Sequence, residues 1–166
     1  VLWVAAALPR LWTPAMFRED WRAAANYIAD YQLASPGLPG AAVAHIDYTH
    51  LPLERYLRQR ISGDDLSVFF PFGGALKPED ADAVVAPPLL GLEEDGIATL
   101  WLTQSHLEGM DDARVVEGWL NSRYPIVTEQ YPAGIKLSGY AVANHFDQLP
   151  LLGPNVVYPD AELAPG

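Results

Sequence analysis

The run His45-Ile46-Asp47-Tyr48-Thr49-His50 is the densest group of chemistry-bearing side chains in this chain. It follows Ala41–Ala44, an apolar stretch that reads as a short buried strand. His45 and Asp47 then project from the same face, because alternate strand residues share a side. They fall at a strand's C-terminal end, where α/β sheets gather their ligands. His50 adds a third possible metal ligand, and a histidine beside an aspartate is also an acid–base pair. His45, Asp47, Tyr48 and His50 are therefore the ligand-binding candidates. A plainer reading weighs more: Asp47 caps the next helix, and the histidines are polar loop residues.

Other patterns are weaker. Asp80-Ala81-Asp82 matches the DxD arrangement that holds a divalent metal in many nucleotide-sugar transferases. Here it follows Pro78-Glu79 at a helix start, where acids favour the macrodipole. Ser105-His106 lies past another strand end with no evident partner acid. Glu93-Glu94-Asp95 reads as a solvated turn. Trp21, Trp101 and Trp119 occupy core positions, which favours packing over sugar stacking. A G-x-S-x-G elbow, a G-x-x-x-x-G-K-[ST] phosphate loop and a G-x-G-x-x-G fingerprint are all missing from the sequence.

These residues need a scaffold, and hydrophobic spacing supplies one. Thr13-Pro14 suits a helix start, and Trp21, Ala24, Ala25, Ile28 and Tyr31 form the stripe of a helix over about 15–33. Ser35 to Gly40 is a turn. A second helix spans Leu51 to Ile61, and Leu66 to Phe70 is a second strand. Pro78 to Leu92 is helical at its acidic start, with Pro87-Pro88 expected to interrupt it. Ile97 to Leu102 is the best central strand. Asp111 or Asp112 caps a helix with Val115, Val116, Trp119 and Leu120 inward. Ile126–Glu129 and Ile135–Val142 are the last strands. This order predicts an α/β fold, a three-layer Rossmann-like domain with a mainly parallel sheet and an antiparallel edge pair.

The bulk numbers set limits. The chain has 166 residues, enough for one domain, and half are hydrophobic. Its formal net charge of −11 repels phosphate backbones and anionic lipid headgroups, so no nucleic-acid partner is expected. Without cysteine there is no disulfide, thiolate metal site or cysteine nucleophile. Residues 1–12 read as a membrane-proximal segment, 13–144 as the α/β domain, and 145–166 as a Pro-rich linker or tail. The apolar run Val1–Leu8 is either a strand or the final turns of a membrane helix. Alone it is shorter than the roughly 20 residues a span requires.

One resemblance joins these features. Arg18-x-x-Trp21-Arg22-x-Ala24-x-x-Tyr27-Ile28, a Pro-Gly turn, a strand leading to Asp47-Tyr48 and a Leu/Tyr-rich helix resemble the soluble tail of certain bacterial membrane glycosyltransferases. The similarity continues through Thr99-Leu100-Trp101-Leu102, Met110-Asp111, Val115-Val116-x-x-Trp119-Leu120 and the strand pair ending at Tyr140, covering roughly residues 10–143. Those polytopic enzymes use polyprenyl-phosphate sugars and are related to the dolichyl-phosphate-mannose–protein mannosyltransferases.

The resemblance implies a non-catalytic domain on the extracytoplasmic face of the cell membrane. Such a domain would help position acceptor or donor, with the catalytic acids in a membrane-spanning part outside this chain. Its partners would be that membrane part and a glycan or polyprenyl-linked sugar. No catalytic residue, metal or cofactor is assigned to the chain itself. Two other classes stay open: a small hydrolase or metal-dependent enzyme built on His45, Asp47 and His50, and a binding module unrelated to sugars.

Overall fold

The computed structural model describes residues 19–142. The expected membrane-proximal segment 1–12, the Thr13-Pro14 helix start and the tail 145–166 lie outside the described residues. Among the described residues, no helix is long and apolar enough to cross a membrane.

Helix α1 runs Trp21–Leu33, and its start is set by Asp20, whose carboxylate accepts from the Ala23 amide at 2.9 Å. This cap meets one of the donors that a helix leaves unpaired at its first turn. Strand β1 follows at Gly40–His45, then a 3-10 turn at Asp47–Thr49 and helix α2 at His50–Leu57. Strand β2 is Leu66–Phe69.

Pro87-Pro88 does not break the next helical run, contrary to expectation. A 3-10 turn at Pro78–Asp80 and a π-turn at Ala81–Val85 lead into helix α3 at Ala86–Glu94. The prolines fall in the first turn of α3, where a missing amide proton costs little. The sequence after α3 forms β3 (Thr99–Gln104), helix α4 (Val115–Arg123), β4 (Ile126–Gln130) and β5 (Lys136–Ala141).

The five strands make one open sheet in the order β2-β1-β3-β5-β4. β1 pairs in parallel with β2 and β3, while β5 runs antiparallel to both β3 and β4. Four strands therefore share one direction. The expected antiparallel pair lies at one side of the sheet, with β5 inserted between β3 and the edge strand β4.

Alternation along the strands divides the core. Ala42, Ala44, Trp101, Leu137 and Ala141 pack with Trp21, Ala25, Ile28, Leu53 and Leu57 of α1 and α2. Their neighbours Ala41, Val43, Leu100, Leu102 and Tyr140 pack with Leu89 and Leu92 of α3 and Val116 and Leu120 of α4. Successive strand residues point to opposite faces, so the two clusters lie on opposite sides of the sheet.

Trp101 is the largest fully buried side chain among the described residues, held edge-to-face by Tyr31 at 5.0 Å and Tyr27 at 5.9 Å. Its cross-strand partner is Gly139. A Cβ there would lie 2.6 Å from Trp101 Cζ3 and 2.9 Å from Cη2, so the glycine gives the indole its place. Gly139→Ala should destabilise the fold by about 1–3 kcal/mol through overpacking. Urea unfolding measures this, and an unchanged midpoint would show that the indole has room to move.

Candidate functional site

The C-terminal ends of β1, β2 and β3 form one edge of the sheet, and the predicted cluster sits there in two tiers. His45, the last residue of β1, is 1% exposed and lies on the α3/α4 face. Its Nε2 is 3.0 Å from Asp111 Oδ2. An ionised carboxylate only accepts, so Nε2–H donates and Nδ1 keeps its lone pair. Asp111 is fully buried, and its oxygens also accept from the amides of Val115 (2.7 Å) and Val116 (3.3 Å). Asp111, one of the two acids expected to cap α4, serves its first two amides, although the capping position itself falls at Arg114. It acts from three residues upstream of Arg114, whose left-handed backbone (φ 54°) turns the chain into the helix.

The remaining three candidates occupy the rim. β1 ends at His45, so Asp47 belongs to the 3-10 turn and does not share a strand face with His45, as the strand reading had it. The backbone turns away before a second strand repeat is complete. Asp47 is half-buried: its Oδ1 accepts from the Tyr48 amide at 2.7 Å, and its Oδ2 faces Gly73. His50 donates Nδ1–H to the Asp47 carbonyl at 2.5 Å and stacks on Phe70, with centroids 3.8 Å apart and planes at 15°. Tyr48 is 57% exposed and Phe70 49%.

His45, Asp47 and His50 thus do not converge. Among the described residues, no three His, Cys, Asp or Glu side chains could hold a metal ion together. The metal-enzyme reading loses its geometry because His45 is committed to Asp111, on the interior side of the edge. The DxD pair fares the same way: Asp80 accepts from the Lys77 amide at 2.8 Å, while Asp82 is exposed on the π-turn.

Two partnerships were not visible in the sequence. Glu19 binds His106 and approaches the Ser105 hydroxyl at 3.4 Å, supplying the acid that Ser105-His106 lacked. The acid bridges the serine and histidine, so among the described residues Ser105 donates to Glu19 and not to a histidine. Glu93 is not a solvated turn residue. Its carboxylate accepts from Tyr124 Oη at 2.7 Å and Arg123 Nη2 at 3.0 Å, and these bonds hold its pKa below the usual carboxylate range. Both pairs join residues more than 25 positions apart, and only folding brings them together. Trp21 and Trp101 are buried as expected, while Trp119 is half-buried with Arg123 over its ring.

A cleft of about 290 Å³ lies at the opposite edge, lined by Gln32, Ser35, Leu38, Ile61, Asp64 and Asp65 among others. It is remote from the predicted cluster and from the strand ends that carry the paired His45 and Asp111. No protein-family model, curated protein or solved structure matches this chain.

Burial pulls the His45 imidazole below its ordinary pKa, outweighing the stabilising Asp111 carboxylate. The unfolded chain therefore takes up a proton near the ordinary value of 6.5, before the folded chain does. The resulting stability is fully present above that pH and is lost as pH falls towards the folded value. Thermal unfolding between pH 8 and 5 should show this loss, and His45→Gln should flatten the slope. An identical slope in the variant would assign the dependence to other groups. Asp111→Ala should cost about 3 kcal/mol, because it strands the imidazole and two helix amides together. Urea unfolding checks it, and a loss below about 1 kcal/mol would mean that water replaces the carboxylate.

Proposed function

We propose that this chain is a non-catalytic, extracytoplasmic domain of a membrane glycosyltransferase that uses polyprenyl-phosphate-linked sugars. Its task is to position a glycan acceptor or donor for the membrane-spanning part of the same protein. On this reading the fold is a three-layer Rossmann-like domain, with α1 and α2 on one side of the sheet and α3 and α4 on the other. The ordered motifs from Arg18 to Tyr140 support the family. The rim of the sheet edge supports the ligand class.

The observation that carries the reading is the stacked His50–Phe70 pair beside the Asp47 carboxylate. Exposed aromatic surface beside fixed polar atoms suits a sugar, whose ring presents an apolar C–H face and an edge of hydroxyls. Asp47 accepts hydroxyl protons, and His50, with its proton fixed on Nδ1, offers Nε2 as a second acceptor when the ring is neutral. Large exposed side chains gather in the same segments, with Leu51 64% exposed next to His50. Grouped exposure of this kind marks contact surfaces more often than scattered apolar residues do. The acidic charge of the chain favours an uncharged glycan over a bare phosphate.

A glycan array followed by calorimetry tests the reading. Phe70→Ala and Asp47→Ala should each weaken binding by about tenfold, a loss of roughly 1.4 kcal/mol, and Phe70→Ala should change stability little because that side chain is half exposed. Binding by both variants at wild-type strength would remove the rim from the site. Absence of binding to every neutral glycan would remove the carbohydrate role.

A further inference from the structure

Below the rim, two buried side chains have hydrogen-bonding capacity that the fold does not use. His45 and Gln104 face each other in the register of β1 and β3. Paired residues on neighbouring strands share a face, so both point to the α3/α4 side. They are 1% and 2% exposed. Among the described residues, His45 Nδ1 and both amide atoms of Gln104 have no hydrogen-bond partner. Tyr31 Oη and Trp101 Nε1 share that condition, but their large rings fill the core and account for their burial. An imidazole and a carboxamide bring little apolar surface. Three unmet polar atoms carry a stability cost that a leucine at position 104 would not.

We propose that His45 and Gln104 are the inner, hydroxyl-reading pair of the glycan site whose rim is Asp47, Tyr48, His50 and Phe70, an inference that rests on the glycan-positioning reading. Asp111 fixes the His45 proton on Nε2, so Nδ1 accepts a hydroxyl proton. Gln104 Nε2 donates to a hydroxyl oxygen and its Oε1 accepts from a second hydroxyl. A hydroxyl both gives and takes hydrogen bonds, and this pair offers both. An anion has poorer prospects. Asp111 lies beside His45, and Lys136, paired with Gln104 in register, is already bound by Glu117 and Glu129.

Phe72 is the cover. Its ring stands edge-on to His45 with centroids 5.6 Å apart, in an irregular segment that continues through the exposed Gly73 and Gly74. Lifting that segment uncovers the imidazole without disturbing a strand.

The test titrates the chain with methyl mannoside, methyl glucoside, myo-inositol and inorganic phosphate. Calorimetry follows affinity, and imidazole nitrogen NMR follows His45. Binding of one or more hydroxyl probes, with a shift of the His45 Nδ1 resonance and no response to phosphate, is expected. Gln104→Leu should raise Tm and weaken that binding by about tenfold or more, since it removes the unmet amide and the ligand contact together. Phe72→Ala should strengthen or speed binding. If Tyr48→Ala loses binding while Gln104→Leu keeps it within about twofold, the inner pair is excluded and the rim reading stands. An Nδ1 resonance that stays still while a probe binds excludes the pair in the wild-type chain, whatever the variant's stability. No binding of any probe excludes both readings. A response to phosphate alone excludes the uncharged class.

Discussion

A buried hydrogen bond joins the last residue of β1 to the loop that leads into α4: His45 Nε2 to Asp111 Oδ2 at 3.0 Å. Asp111 simultaneously accepts from two α4 amides, so one carboxylate fixes a strand end, a helix start and a tautomer. A charge in that position is tolerated because three donors, the His45 imidazole and two helix amides, meet it. The bond also sets what the edge can do chemically. It turns His45 inward and leaves Asp47, Tyr48 and His50 to face outward.

The sheet that carries this edge is shaped by size as much as by hydrophobicity. β1 contributes three alanines and one valine to two opposite core clusters, small side chains that leave room for the residues packed against them. The bulk missing from β1 is supplied next door by Trp101, accommodated by Gly139 on β5. A large residue opposite the smallest one is what close packing demands when two strands lie under five ångströms apart. The aromatic edges of Tyr27 and Tyr31 then fix the indole from α1.

Polar clips close the periphery. Glu19 ties the start of the described chain to the loop after β3, and Glu93 ties the end of α3 to the end of α4 through Arg123 and Tyr124. Arg60 pairs with Asp30 in the open, between α1 and the segment after α2. Exposed pairs of this type contribute little each, because water screens them. Their effect is geometric, fixing where helices end against the sheet.

The alternation and stripe patterns of this sequence determined most of the described elements: the five strands and helices α2 and α4 lie within a few positions of where hydrophobic period and turn residues put them, while α3 holds in its first turn the Pro87-Pro88 pair expected to interrupt it. The Asp111 cap was legible because helix starts are local, needing only an acceptor a few residues before the first unpaired amides. The chemistry-rich run 45–50 was legible as a place, since residue type and strand polarity suffice to find a sheet edge. Tertiary structure decided what each member does. Whether His45 joins Asp47 or Asp111 depends on a contact 66 positions away, and no spacing rule encodes that. The same holds for Glu19 with His106, Glu93 with Arg123, and Gln104 set beside His45. Local patterns report the period of the backbone. Partners across the sheet are chosen by register and packing, which exist only once the chain has folded.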